Sequence, residues 1–99
     1  TVYTAGQTGV DGDGKLVEGG VAAQTRQTLE NVRTCVEAAG CTLDDVVKVN
    51  AYLADLDDFP AYNEVYLDFF SKPYPARTSV QAGLPSGVLI EIEAVARKA

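Results

Sequence analysis

Two residue types suited to the chemistry of small anions stand in the last quarter of the chain. Arg77 lies in the stretch YPARTSV, and a planar guanidinium can bind a carboxylate through two parallel hydrogen bonds. Glu91 and Glu93 alternate in the stretch IEIEAVA, and a glutamate positioned beside a reacting group can transfer protons. An exposed, purely structural arginine is the simpler alternative, so the interpretation depends on what lies opposite Arg77.

Composition excludes several other chemistries. The 99 residues carry 8 basic and 14 acidic side chains, a net charge of −6, and no cluster of Lys or Arg that would hold a phosphate backbone. Without a histidine, nucleophile–imidazole pairs are ruled out, and the two cysteines lack CxxC spacing, so we expect neither a metal nor a redox site. No apolar run approaches the roughly 20 residues that span a bilayer. We therefore expect a cytoplasmic protein with no nucleic-acid or membrane partner.

Hydrophobic periodicity and turn residues divide the chain into six elements. Apolar positions repeat with helical spacing in two segments, the first ending at Gly40 and the second carrying Pro60 in its first turn. The predicted strands are 2–6, 46–53, 77–82 and 88–96, and the predicted helices are 21–39 and 57–70. This order predicts one α+β (α/β layered) domain over residues 1–99, with a single mixed sheet and two helices packed on one face.

The stretch GLPSG predicts a hairpin between the last two strands. Because side chains alternate across a strand, any even register of that hairpin places Arg77, Ser79, Glu91 and Glu93 on one face. We expect Glu93 to pair with Arg77 or Lys48, or to pack at a subunit boundary. The aromatic residues of the second helix are assigned to packing alone. The sheet face that carries Arg77, Ser79 and the two glutamates is either a solvated face with weak ion pairs or a surface that meets another subunit.

Several stretches, taken together, resemble the RidA/YjgF family of reactive-intermediate deaminases, also labelled endoribonuclease L-PSP or translation initiation inhibitors. They are TAGQTGVD, AAQTRQTLENV, VVKVNAYLADLDDF, YNEVYLDFF, PARTSV and IEIEAVA, and they cover almost all of the chain in order. The resemblance implies a chorismate-mutase-like fold and a homotrimer whose ligand sites lie in clefts between subunits. It also implies cofactor-independent hydrolysis of enamines and imines, such as 2-aminoacrylate and 2-iminopropionate, to a 2-keto acid and ammonia.

The resemblance also implies roles for individual residues. Arg77 matches the arginine that grips the substrate carboxylate, and Glu91 matches the glutamate that holds the attacking water. Ser79 stands where many members have Cys, and its backbone is expected to contact the ligand. Ala5 and Gly6 match a Ser-Gly pair whose backbone lines the pocket. Asn63, in YNEVY, is expected near the cleft, so these residues form the predicted substrate-binding set.

The sequence departs from the family pattern at its start. Family members usually begin with a longer lead that contains a first strand and a Gly-Pro-Tyr-like motif, and this sequence starts after that point. Two alternative functions remain open at this stage: a noncatalytic trimer that binds small carboxylates as a regulator, and RNA cleavage with translation inhibition. The acidic composition weighs against the second alternative.

Overall fold

Four strands form one mixed sheet with β2 near its centre. The structure is a computed structural model that describes residues 1–98. Its elements are β1 Val2–Tyr3, α1 Gly20–Ala38, β2 Val46–Leu53, α2 Phe59–Phe69, β3 Ala76–Gln81 and β4 Ile90–Ala96. The strand order is β1-β4-β2-β3, in which β4 is antiparallel to β1 and β2, while β3 runs parallel to β2. The prediction of a mixed sheet with two helices is confirmed.

The predicted hairpin between β3 and β4 is wrong, because β2 lies between these strands. β3 follows β2 through the crossover helix α2, and such a connection brings the next strand back parallel to the first. The segment between β3 and β4 then passes the end of β2, where the Ala82 amide bonds to Leu53 and the Ala54 amide bonds to Leu89. GLPSG is therefore part of a longer connection across the sheet end.

The register of β2 with its two neighbours determines on which face of the sheet each side chain of β3 and β4 lies. Val49, Ala51 and Leu53 are fully buried beneath the helices. Arg77 pairs with Val49 and Ser79 with Ala51, so both lie on the helix-covered face. On the other side, Glu91 pairs with Tyr52 and Glu93 with Asn50, which places both glutamates on the open face. The prediction that the four residues share one face is therefore wrong.

Helix α1 packs through a stripe of buried residues and ends one residue before the predicted position. The stripe is Gln24, Thr25, Thr28, Leu29, Val32 and Val36. Gly40 has a φ of 86°, and the amides of Gly40 and Cys41 bond to Glu37 and Val36, which is a Schellman ending. No helix of the described residues is both long and apolar enough to cross a membrane.

A local irregularity at the start of β2 reverses one predicted pair of positions. The pairing of β2 with β4 shifts between Val46 and Lys48. Val46 is therefore buried, whereas Val47 is 48% exposed, although strict alternation predicts Val47 on the buried side. From Lys48 onward the predicted alternation is confirmed.

Candidate functional site

The guanidinium of Arg77 is held in one pose by helix α2. Nη1 of Arg77 donates to Asn63 Oδ1 at 2.7 Å and to the Tyr62 hydroxyl at 3.4 Å. The guanidinium carbon lies 4.3 Å from the ring centre of Tyr66, and 5.4 and 5.5 Å from those of Phe59 and Tyr62. Cation–π attraction at these distances stabilises the charge on a half-buried side chain.

The helical spacing of the aromatic residues produces this arrangement. Phe59, Tyr62 and Tyr66 follow one another at three and four residues, so their rings share one face of α2. Tyr62 is 0% exposed and Tyr66 is 2% exposed. Burial, with a smaller contribution from Tyr62, raises the pKa of the Tyr66 phenol to about 12, and the Arg77 charge opposes this rise. The rings therefore contribute both to the core and to the surroundings of Arg77.

The charge of Arg77 has no carboxylate partner within residues 1–98. The two ion pairs in this part of the chain join Arg26 to Asp68 and Arg33 to Glu30. Arg77 instead contacts neutral acceptors and aromatic faces. A half-buried guanidinium in such surroundings is well placed to bind an anion from outside the chain.

Ser79 joins this group through Tyr62. Its Oγ lies 3.1 Å from the Tyr62 hydroxyl, on the same strand as Arg77 and two residues along. The structure thus brings together three residues of the predicted set, Arg77, Ser79 and Asn63. We call these three residues, together with Phe59, Tyr62 and Tyr66, the arginine cluster.

Glu91 lies on the open face beside the N-terminal segment. A Cβ built on Gly6 would come 3.0 Å from Glu91 Cδ and closer still to Oε2, so the bare Gly6 backbone lies against this carboxylate. Backbone bonds in both directions between Gln7 and Ile92 fix the segment at this position. Ala5 precedes Gly6 and is exposed. We call Ala5, Gly6 and Glu91 the glutamate cluster.

Beside the glutamate cluster, the open face carries a second carboxylate. Glu93 accepts a hydrogen bond from Asn50 at 3.3 Å, and Lys48 donates to Thr78, so Glu93 pairs with neither Arg77 nor Lys48. Its packing at a subunit boundary stays a prediction. Desolvation, and then the negative charges of Glu93 and Glu91, raise the pKa of the Tyr52 phenol. Tyr52 therefore stays protonated next to these two carboxylates.

The arginine cluster and the glutamate cluster occupy opposite faces of the sheet, so one chain does not bring them together. Two grooves of about 380 and 370 Å³ lie elsewhere, the first between the C-terminal part of α1, residues 42–44 and the end of α2, and the second along α1, and neither includes a predicted site residue. Within residues 1–98, no group of three or more acidic or cysteine side chains is arranged to hold a metal.

Sequence reasoning missed the contribution of the aromatic residues in the arginine cluster. Phe59, Tyr62 and Tyr66 were assigned to packing, because aromatic residues at helical spacing usually fill a core. The one signal in the sequence is the polar residue Asn63 directly after Tyr62, since its side chain accepts a hydrogen bond from Arg77. Only the tertiary position of β3 places Arg77 across these rings.

Comparison with known proteins agrees with this fold. The family model described as Endoribonuclease L-PSP matches residues 1–98. The human protein named 2-iminobutanoate/2-iminopropanoate deaminase is 48% identical over 98 residues, which cover 97% of this chain and 72% of the human protein. A RutC family protein of Pyrococcus horikoshii is 48% identical over 99 residues, covering 98% of this chain and 79% of its own length.

The structural comparison gives the same answer. The crystal structure of E. coli TdcF with bound serine superposes with a TM-score of 0.91 at 40% identity, covering 98% of this chain and 80% of TdcF. Both the sequence match and the shared fold extend over nearly all of the described residues. The chain therefore belongs to the endoribonuclease L-PSP family, which is the RidA/YjgF family.

Proposed function

We propose that this protein hydrolyses enamines and imines derived from amino acids to 2-keto acids and ammonia, with 2-aminoacrylate and its imine tautomer as representative substrates. The observation that carries this proposal is the Arg77 guanidinium, which is held by Asn63 and aromatic rings with no carboxylate partner in residues 1–98. Relatives named imine deaminases at 46–48% identity support the reaction class. The serine bound to TdcF supports a small amino-acid-like ligand.

The proposed site takes its two clusters from neighbouring chains of a homotrimer. Arg77 and Glu91 lie on opposite sheet faces, so Arg77 of one chain acts with Glu91 of the next. The open face offers apolar side chains for such an assembly, since Tyr3 is 76% exposed and Val80 is 42% exposed there. Their mixture with Asn50 and Tyr52 is typical of a subunit interface.

The proposed hydrolysis needs no nucleophile from the protein. An imine conjugated to a carboxylate is already electrophilic, so a water oxygen can bond directly to the imine carbon. Arg77 fixes the carboxylate, and Glu91 accepts a proton from the attacking water and returns one to the nitrogen. Glu91 then passes the hydroxyl proton of the carbinolamine to the nitrogen, so that the carbon–oxygen double bond forms as the carbon–nitrogen bond breaks, and ammonia and the 2-keto acid are released. Orientation and proton transfer together account for several kcal/mol of barrier lowering, on the order of 5.

The first experiment measures pyruvate release while 2-aminoacrylate is generated in situ. Wild-type protein accelerates release over the background, Arg77→Ala abolishes the acceleration, and Glu91→Ala reduces it by about 100-fold. Wild-type rates equal to the background, with keto acid still bound through Arg77, would establish the noncatalytic carboxylate-binding alternative instead. Cleavage of a fluorescent RNA under the same conditions would favour the ribonuclease alternative. We expect no cleavage, because a chain with a net charge of −6 repels the phosphate backbone of RNA.

A second experiment tests the shared site. Arg77→Ala and Glu91→Ala chains are unfolded together, refolded in equal amounts and assayed. A site between two chains is intact when one chain supplies Arg77 and its neighbour supplies Glu91, so random assembly restores about a quarter of the wild-type activity. A mixture as inactive as either variant alone would rule out sites composed in this way.

A further inference from the structure

We infer that Tyr62 is a positioning residue for Arg77, whose hydroxyl and ring confine the guanidinium so that one edge of it faces a planar carboxylate. This inference rests on the proposed function and assigns a part in it to a residue of the core. Tyr62 is 0% exposed, yet its hydroxyl reaches two residues of the arginine cluster, Arg77 and Ser79.

The Tyr62 hydroxyl connects Arg77 to Ser79. A guanidinium has donors only, so the Tyr62 hydroxyl must accept from Nη1 of Arg77. Its oxygen also lies 3.1 Å from Ser79 Oγ, a contact in which either hydroxyl can be the donor. In the proposed arrangement Tyr62 donates to Ser79, which leaves the Ser79 hydroxyl proton free for a bound anion.

The same contacts decide which edge of Arg77 is available. Nη1 has two hydrogens, and its two acceptors are Asn63 Oδ1 and the Tyr62 hydroxyl. Nε and Nη2 make no hydrogen bond to residues 1–98. These two nitrogens form the edge that matches the two oxygens of a carboxylate in parallel. This edge therefore fits a ligand carboxylate, the group that the proposed 2-keto and 2-imino acids share.

The rings prevent the guanidinium from leaving this pose. Tyr66 covers one face of it at 4.3 Å, and Tyr62 and Phe59 approach at 5.5 and 5.4 Å. Tyr62 also packs edge-on against Phe59, with ring centres 5.5 Å apart. Removing the Tyr62 hydroxyl leaves these rings and the Asn63 bond in place, but Nη1 is then held by one hydrogen bond instead of two, so the edge that faces the ligand is less firmly oriented.

The test is Tyr62→Phe, measured as KM and kcat with 2-aminoacrylate and as the Kd of pyruvate by calorimetry. We expect KM and Kd to rise together by about three- to tenfold, with kcat changed by less than about twofold, since one charge-assisted hydrogen bond is lost. Tyr74→Phe removes an exposed tyrosine hydroxyl that bonds to the Leu67 carbonyl, and it leaves all three values unchanged. Wild-type KM and Kd in Tyr62→Phe, or an equal fall in kcat with lowered stability, would overturn the inference.

Ser79→Ala tests the same arrangement of hydrogen bonds in a variant that keeps the core intact. It removes the Ser79 donor, so KM and Kd rise while the thermal midpoint stays near that of wild type; unchanged KM and Kd would overturn the inference. Failure of the proposed function can be told apart from failure of the Tyr62 inference, because the former is seen in the wild-type protein and the latter only in the variants. A wild type that neither turns over 2-aminoacrylate nor binds pyruvate removes both ideas, whereas wild-type turnover that is lost in Arg77→Ala leaves the proposed function standing whatever the Tyr62 result.

Discussion

The backbone of Gly6 lies directly against the carboxylate of Glu91. A Cβ at Gly6 would come 3.0 Å from Glu91 Cδ and 3.2 Å from Cγ, which is closer than side chains normally approach. The bonds between Gln7 and Ile92 on one side of Gly6, and the bond from the Thr4 amide to Ala94 on the other, hold the N-terminal segment against β4, so the backbone has little room to retreat. A side chain at position 6 must therefore displace the glutamate.

We expect Gly6→Ala to reduce deaminase activity by about tenfold or more while the free energy of unfolding changes by less than about 1 kcal/mol. The added methyl group displaces only the flexible end of an exposed-face side chain, so the fold adapts but the carboxylate moves. Gly12→Ala is the matched control, since a Cβ there meets nothing within 4 Å. Wild-type activity in Gly6→Ala would show that the position of the Glu91 carboxylate is unimportant.

A buried glutamine fastens the connection that leads into β4. Gln24 is 5% exposed, and its amide nitrogen donates to the Gly87 carbonyl at 3.0 Å while its amide oxygen accepts from the Leu89 amide at 2.9 Å. Helix α1 also approaches the backbone of Gly9 so closely that a Cβ there would lie 3.0 Å from Gln24 Cα. One residue of α1 thus contacts both segments that flank the glutamate cluster.

Gln24→Ala is expected to lower the free energy of unfolding by about 2 kcal/mol, because it removes two part-buried hydrogen bonds to the backbone, each contributing about 1 kcal/mol. Gln24→Glu keeps the acceptor for Leu89 but loses the donor to Gly87. Chemical denaturation measures both. Gln27→Ala removes a glutamine of the same helix that bonds only to the Asn31 side chain, and it should cost under about 1 kcal/mol. Equal costs for Gln24→Ala and Gln27→Ala would contradict the proposed role of Gln24.

The elements were predictable from the sequence because their signals are local. Strand 46–53 has the predicted bounds, and the predicted helix 21–39 differs from Gly20–Ala38 by one residue at each end. Helical spacing and the turn chemistry at Gly40 depend only on nearby residues, so tertiary contacts did not override them.

Strand pairing and side-chain faces were not predictable to the same degree. GLPSG suggested a hairpin, but the alternative of β3 beside β2 depends on how α2 packs, which is a long-range property. The error at this step placed Arg77 and Glu91 on one face. The roles of the candidate residues depend on the family resemblance, and only the register of β2 with its two neighbours shows that these residues separate into two clusters.

The uncovered face of the sheet predicts an oligomer, and one substitution on that face should dissociate its subunits. We expect sedimentation to give a species of about 31 kDa, three times the chain mass of 10.5 kDa. Val80→Lys places a charge on the open face, where Val80 is 42% exposed beside Tyr52, and should shift the protein toward monomers and abolish activity. Leu67→Lys changes a residue that is 41% exposed on α2 and should alter neither. A wild type sedimenting as a 10.5 kDa species would contradict the shared site.

The buried phenol of Tyr66 predicts a particular response to alkaline pH. Its hydroxyl has no hydrogen-bond partner in residues 1–98, and burial raises its pKa from 10.0 to about 12. The protonated phenol is favoured in the folded state, so its contribution to stability is fully present below pH 10. That contribution is lost as the pH rises from about 10 through 12, because ionisation is easier in the unfolded chain.

Tyr66→Phe should therefore behave differently from wild type in two pH ranges. At pH 7, its free energy of unfolding equals that of wild type or exceeds it by up to about 1 kcal/mol, because the lost hydroxyl made no bond. Between pH 10 and 12 its advantage grows by on the order of 2 kcal/mol, because the variant has no phenol to ionise. Urea denaturation at pH 7, 10 and 11.5 measures the difference. A variant less stable than wild type at pH 7 by more than about 1 kcal/mol would mean that the hydroxyl makes a stabilising bond, and parallel pH profiles would mean that its pKa is not raised.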